Sequence, residues 1–418
     1  MSIRPRGRQF FNNPGPTNIP DKVLRAIDRP VLDFLSEEFL EIHRACFQGL
    51  KRVLKTEQQL FMYASSGHGA WEASTANVFA AGDKVLMIES GYFSESWTMM
   101  CRKFGLEVEV MESDWRHGVD PAAIEQRLRS DTAHEIKGVL VVHNETATGL
   151  SHPVKDVRKA MDAARHPALL LADTISSLAC FDFRMDEWGV DVAVGGSQKG
   201  LMLPTGMSLT GVSEKAMAIS AKGGGAPRHY WDWREMKARD PQRFIGTTPV
   251  HHFFGLQASL ALLEEEGLDA VFARHARLAR ATRAAVRHWG GLNDTSDPTN
   301  GTKPAQGERG PNLTAAINGP ELYCRDPARY SDSVTAVLAP EGHNVDKFRK
   351  VALERFNLSL GGGLGPLGGR VFRIGHMGDL NEPMLLGALA TTELAMKVSG
   401  MPHRPGGAEA AVESLAKD

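Results

Sequence analysis

From about residue 60 the chain alternates short apolar runs with amphipathic stretches, and this alternation narrows the fold more than any other feature. The runs are Leu60–Tyr63, Lys84–Ile88, Glu107–Met111, Gly138–Val142, Ala168–Ala172 and Val190–Val194. Between them, stretches such as Ala70–Phe79, Pro121–Leu128 and Val154–Ala164 place apolar residues at helical spacing. Strands alternating with helices predict an α/β architecture on a mostly parallel sheet. Several runs are apolar throughout, as strands buried on both faces must be.

The flanking segments differ. Residues 1–20 are rich in Arg, Asn, Gly and Pro, and Pro14-Gly15-Pro16 cannot be helical. An irregular N-terminal arm is expected there, leading into a helix near Asp21. A large domain is expected over 21–262 and a smaller C-terminal α+β domain over 263–400, with a tail over 401–418. Residues 251–290 read as one long helical region. Ser333–Leu338, Leu358–Leu360 and Val371–Ile374 read as strands, and Val345–Arg355 and Glu382–Lys397 as helices. Between about 291 and 328, Asn, Asp, Thr, Pro and Gly dominate and periodicity is lost, so an inserted loop is expected.

Composition removes whole classes of function. The 418 residues suffice for two cores. Lys and Arg total 48 against 50 Asp and Glu, so there is no basic excess to hold nucleic acid. The longest apolar runs, such as Ala168–Ala172, fall well short of the ~18 residues a membrane span needs. The first residues carry charge without an apolar stretch, so no secretory leader is expected. Cys46, Cys101, Cys180 and Cys324 lie far apart with no Cys-x-x-Cys pair, which argues against a zinc site or a disulfide framework. Reduced thiols in a cytoplasmic protein without a metal are expected.

The chemistry gathers at strand ends. In a parallel sheet, ligands bind outside the carboxyl ends of the strands. Gly195-Gly196-Ser197-Gln198-Lys199-Gly200 follows one strand directly, and a lysine held there can form a Schiff base with a carbonyl compound. Taken alone, Lys199 reads equally as a solvated loop lysine. Leu169–Ala172 runs straight into Asp173, and a lysine with a carboxylate is what pyridoxal phosphate needs for its aldehyde and its pyridine nitrogen. Asp173 alone reads as a cap for the following turn. Ser65-Ser66-Gly67-His68-Gly69 sits between a strand and a helix, where backbone N–H groups can hold a phosphate or merely turn the chain. Phe93 can stack on a planar ring or fill core. His143–Gly149 offers polar groups at the same edge, and Arg373 stands in an apolar strand, where a bidentate carboxylate would explain it, as would a water-facing edge.

These segments resemble the class V, fold-type I aminotransferases, specifically the serine–glyoxylate and alanine–glyoxylate group. The likeness rests on Pro14–Pro16, Ser66–Gly69, His143–Gly149, Phe183–Asp191, Gly196–Lys199, Pro204–Gly206, Ala273–Leu278 and Phe372–Gly378. It implies a mostly parallel seven-stranded sheet in the large domain. It further implies pyridoxal 5′-phosphate as cofactor, bonded to Lys199 and with Asp173 against its ring nitrogen. Phe93 would stack on the ring, and Gly67, His68, Gly69 and Gln198 would hold the phosphate. Thr146 or Thr148 would touch the ring side. Thr247 would reach the cofactor of a second subunit in a homodimer with shared active sites. Arg373, with Pro14 and Gly15, would receive the substrate carboxylate.

Two positions depart from that pattern. Leu35 stands where relatives carry an arginine that shapes the partner's substrate pocket, and Phe244 stands where they often carry a tyrosine. Losing the guanidinium removes both a charge and a bidentate donor. The resemblance implies transfer of an amino group, with serine as donor, to glyoxylate, giving glycine and a 2-oxo acid such as hydroxypyruvate. Aspartate–glyoxylate, alanine–glyoxylate and pyridoxamine–pyruvate transamination are the near alternatives. A cysteine desulfurase acting through Cys324, or a binding module without catalysis, are the distant ones.

Overall fold

The computed structural model of the protein describes residues 6–223, 225–291 and 319–417. The strands in the first part of the chain are β1 (Phe10–Asn12), β2 (Gln59–Tyr63), β3 (Lys84–Ile88), β4 (Glu107–Met111) and β5 (Ile136–Val142). A short hairpin follows, of β6 (Asn144–Glu145) and β7 (Leu150–Ser151), then β8 (Leu169–Asp173), β9 (Val192–Gly196) and β10 (Ser208–Val212). A seven-stranded sheet forms in the order β2-β10-β9-β8-β5-β3-β4. It is parallel except for β10, which runs against both β2 and β9.

Each apolar run splits its side chains between two cores, as the two-residue period of a strand requires. Leu60, Met62, Leu86, Ile88, Val139, Val141 and Leu170 face one cluster with the helix Glu37–Leu54. Phe61, Tyr63, Val85, Met87, Leu140, Leu171 and Val194 face the other, with the helix Gly67–Val78. A fully buried aliphatic side chain contributes about 1.5–3 kcal/mol, so these strands belong in the middle of the molecule. Strand β10 is invisible as an apolar run because its polar side chains pair inside the sheet. Thr210 Oγ1 lies 2.7 Å from Tyr63 Oη, and Ser208 Oγ lies 2.7 Å from Ser65 Oγ.

The second sheet joins β1 to β11 (Glu321–Leu322), β12 (Val334–Leu338), β13 (Leu358–Gly362) and β14 (Val371–Gly375), in the order β1-β13-β14-β12-β11. The arm expected to be irregular therefore contributes a strand. Phe10–Asn12 occupies the open edge of β13 in parallel, and Asn12 Nδ2 donates to the Gly375 carbonyl at 3.1 Å. The helical region 251–290 is two helices, Val250–Glu266 and Leu268–Trp289. They part at Gly267, whose φ of 83° no helix accepts.

Of the expected insertion at 291–328, residues 292–318 lie outside the described residues. Its end is not loop throughout, because Glu321 and Leu322 pair with Leu338 and Val337. The expected tail is not a tail either. Gly407–Leu415 is a helix that buries Ala411 and Leu415 in the small-sheet core beside Trp289. Glu393 holds its start by accepting Gly406 N and Gly407 N, each at 2.8 Å, and the Trp289 indole N–H at 2.8 Å. Those N–H groups have no partner within their own helix, so an external carboxylate is the natural acceptor.

Trp289 is fully buried under this C-terminal helix. Trp289→Ala is expected to lower stability by about 3–5 kcal/mol in urea unfolding. A loss under about 1 kcal/mol would show that the helix rests loosely on the core.

Candidate active site

Strands β2, β3, β5, β8 and β9 all open toward one edge of the large sheet. There Gly67, His68, Phe93, Thr146, Asp173, Gln198 and Lys199 line a cavity of about 140 Å³. Asp173 is the last residue of β8, and Lys199 lies three residues beyond the end of β9. Trp71, Val142, Asn144, Ile175 and Ser176 also line it.

Both catalytic candidates are buried. Asp173 accepts the Trp71 indole N–H at 3.0 Å through one oxygen and the Ile175 N–H at 2.7 Å through the other. Neither donor carries a charge, and burial pushes its pKa up to about 7. The Lys199 ammonium donates to the Pro14 carbonyl, and Thr17 Oγ1 donates to the Lys199 carbonyl at 3.1 Å. Burial, with Arg373 nearby, brings Lys199 down from 10.5 to about 8. The arm thus closes over the lysine. A Cβ on Gly15 would run into the Lys199 side chain.

Arg373 reaches in from β14. Its Nε donates to the Gly362 carbonyl at 2.8 Å and its Nη1 to the Thr146 carbonyl at 3.2 Å. Burial lowers its pKa to about 10. Phe93, half-buried, is the second residue of the helix Tyr92–Lys103, and its ring lies 6.4 Å from that of His68 and 6.5 Å from that of Trp71, edge to face. Burial lowers the pKa of His68, which favours the neutral ring.

The expected residues do not all converge. Gly69 packs against Ser65 and Trp231 within the first turn of its helix rather than on the cavity. Thr148 directs its hydroxyl to the Ser90 carbonyl at 3.2 Å and does not line the cavity, whereas Thr146 does. Thr247 is exposed. Leu35 is 58% exposed, and Phe244 is core, edge-on to Phe253 at 5.9 Å. Trp71 and Ser176 received no role from the sequence, and Asn144 and Glu145 only a shared one as polar groups of the run His143–Gly149. Trp71 stands one helical turn after Gly67, so the spacing from the glycine turn was the available signal.

A model of the aminotransferase class-V family matches residues 9–303. The chain is a class-V aminotransferase. It is 43% identical to the serine–glyoxylate aminotransferase of Methylorubrum extorquens, over 100% of this chain and 98% of that protein. It is 42% identical to the L-aspartate–glyoxylate aminotransferase of Paracoccus denitrificans, over 96% of this chain and 94% of that one. Among solved structures, it superposes on pyridoxamine–pyruvate aminotransferase from Mesorhizobium loti with a TM-score of 0.86 at 26% identity, over 99% of both chains.

Pyridoxal phosphate is the cofactor of this aminotransferase family, and the cavity fits it on its own terms. Gln198 Oε1 and Asn144 Oδ1 are buried on the cavity wall without a hydrogen-bond partner in the protein, so both are available to a bound polar group. A side chain at Gly67 would run into Ile175, so the glycine keeps the start of its helix open beside the cavity. Cys324 does not join this site. It lines a separate small cleft with Gly149 and Tyr330, and burial raises its thiol to about 11, far from a thiolate nucleophile at neutral pH.

The amine of Lys199 is set to react well below the range of ordinary lysines. Acylation of the apoprotein at Lys199 is expected to rise as pH passes about 8, against about 10.5 for exposed lysines, read by mass spectrometry of the labelled peptide. The Asp173 charge holds the ammonium form, so Asp173→Asn is expected to move the midpoint lower still; a midpoint that rises would show that burial does not govern the amine.

Proposed function

We propose that this chain is a serine–glyoxylate aminotransferase, working as a homodimer in the cytoplasm. L-Serine gives up its amino group and leaves as hydroxypyruvate; glyoxylate takes the group and leaves as glycine. The observation that carries the chemistry is one cavity with a depressed-pKa lysine, a buried aspartate and an arginine beside it. The full-length likeness to serine–glyoxylate aminotransferases supports the donor.

Bound here, pyridoxal phosphate supplies the aldehyde that bonds an amino group and the ring that takes up the electrons of a broken Cα–H bond. The chain supplies the rest. Lys199, lowered by burial to about 8, loses its proton far more readily than an ordinary lysine and takes the proton from the substrate Cα. Asp173, with no side-chain cation in ion-pair contact among the described residues, would complement a protonated ring nitrogen. Phe93 offers the ring face, while His68, Gln198 and the N–H groups that begin at Gly67 hold the phosphate. Arg373 has two nitrogens tied to backbone carbonyls, which leaves Nη2 for the substrate carboxylate. Pro14 and Gly15 border that pocket and exclude water from the lysine.

The homodimer reading is supported by exposed apolar side chains on the stretch before the helix Glu37–Leu54, Leu24 at 46% and Val31 at 64%, and by exposed Thr247, which then faces the neighbouring cofactor. The four free cysteines support the cytoplasm.

The test is a half-reaction screen of single amino acids against the cofactor-loaded protein, following loss of the visible absorbance. Serine is expected to react fastest. A response to aspartate or alanine alone would replace the donor, and no response to any amino acid would overturn transamination. Borohydride is expected to fix the cofactor on Lys199, and Lys199→Ala to slow turnover by about 10²–10⁴-fold or more.

A further inference from the structure

Glu145 is the one carboxylate beside the site with no part in the function above. It is fully buried, and burial raises its pKa to about 7. One oxygen accepts the N–H groups of Phe93 at 2.9 Å and Ser94 at 3.2 Å, at the start of the helix Tyr92–Lys103. The other accepts the Ala147 N–H at 3.0 Å. Among the described residues no side-chain cation lies within ion-pair distance of it, so backbone N–H groups alone hold it.

Two details give this arrangement a direction. The Ala147 N–H belongs to the peptide unit whose carbonyl is that of Thr146, and that carbonyl accepts Arg373 Nη1 at 3.2 Å. In a trans peptide the N–H and C=O point opposite ways, so fixing one fixes the other. The second detail is Gly91, with φ of 154°. A Cβ there would sit 2.7 Å from Glu145 Cγ and 2.9 Å from its Cδ. The glycine leaves room for the carboxylate to reach the helix start.

We propose that Glu145 is a positioning residue that ties the ring-stacking Phe93 and the carboxylate-binding Arg373 to a single buried carboxylate. The inference rests on the roles given to Phe93 and Arg373 above. It predicts that one side chain, touching neither cofactor nor substrate, governs the affinity for both. Glu145→Gln keeps the shape but must turn an amide NH₂ toward one of the N–H groups it now accepts, setting donor against donor in a buried place. Glu145→Asp keeps the charge and withdraws it by one methylene.

The test uses both variants with wild type, as apoprotein titrated with pyridoxal phosphate by tryptophan fluorescence, and as saturated enzyme for kinetics with serine and glyoxylate. Glu145→Gln is expected to raise the cofactor Kd and both KM values about tenfold, with a smaller fall in kcat, the pattern of lost binding rather than lost chemistry. Glu145→Asp is expected to raise the same three constants with a thermal midpoint closer to wild type. Unchanged Kd and KM in correctly folded protein of either variant would overturn the proposal, as would a loss of kcat that merely follows the folded fraction. Arg373→Lys, run alongside, separates the two ideas. If its KM values do not rise, the substrate role of Arg373 falls; if they rise while the Glu145 variants match wild type, only the role of Glu145 falls.

Discussion

Lys199, Asp173, Glu145 and Arg373 are four ionisable groups buried at one edge of a sheet, and none is in ion-pair contact with another side chain among the described residues. Taking an ion out of water is unfavourable by several kcal/mol unless something replaces the lost solvent. Here the backbone replaces it, joined at Asp173 by the Trp71 indole N–H. Carbonyls of Pro14, Gly362 and Thr146 face the two cations, and N–H groups of Ile175, Phe93, Ser94 and Ala147 face the two anions. Glu145 is taken up by backbone N–H groups, while Lys199, Asp173 and Arg373 keep capacity for a charged ligand group. A phosphate, a carboxylate and a protonated ring nitrogen are such groups. The near-neutral whole-chain charge gives no hint of this, because the field that matters is local.

The sheet makes the arrangement possible. Parallel strands end on the same side, so residues far apart in sequence reach one place without long loops. Asp173 arrives directly on a strand, and Lys199 arrives on the tight turn after β9. Groups anchored to regular structure keep their spacing better than groups on free loops. The second sheet then adds Arg373 from β14, and the arm adds Pro14 above the lysine.

Much of this was legible in the sequence, and the gaps have physical causes. The run Lys84–Ile88 matches its strand to the residue because a buried parallel strand is apolar over nearly its whole length, whereas the edge strand Glu107–Met111 announces itself by alternating Glu with apolar residues. Asp173 and Lys199 were readable because strand ends are where such a sheet binds ligands. What escaped was whatever depends on a distant partner. Strand β10 satisfies its threonine and serine inside the sheet, so no apolar run announces it. Strand β1 exists only because β13 offers an edge, and the C-terminal helix is fixed by Glu393 and Trp289 from other helices. Glu145 looked like a polar loop residue, since a glutamate gives no sequence sign that helix N–H groups will surround it. Thr146 and Thr148 were indistinguishable by type, and only the turn geometry decides which lines the cavity.

The pairing of β1 with β13 has a consequence for how the enzyme comes into being. Phe10 is made well before Leu358, its register partner, with the whole large sheet between them in the chain. Between them the arm carries Pro14 past the side chain of Lys199. A chain emerging from the ribosome can build the large sheet early, through neighbouring strands, but it closes this loop only once β13 has appeared. Until then Arg373 does not yet exist, and the arm is tied beside the lysine by Thr17, through the carbonyls of Gln198 and Lys199. The order of synthesis brings Arg373 to Lys199 last, once the strands of the large sheet have already been made.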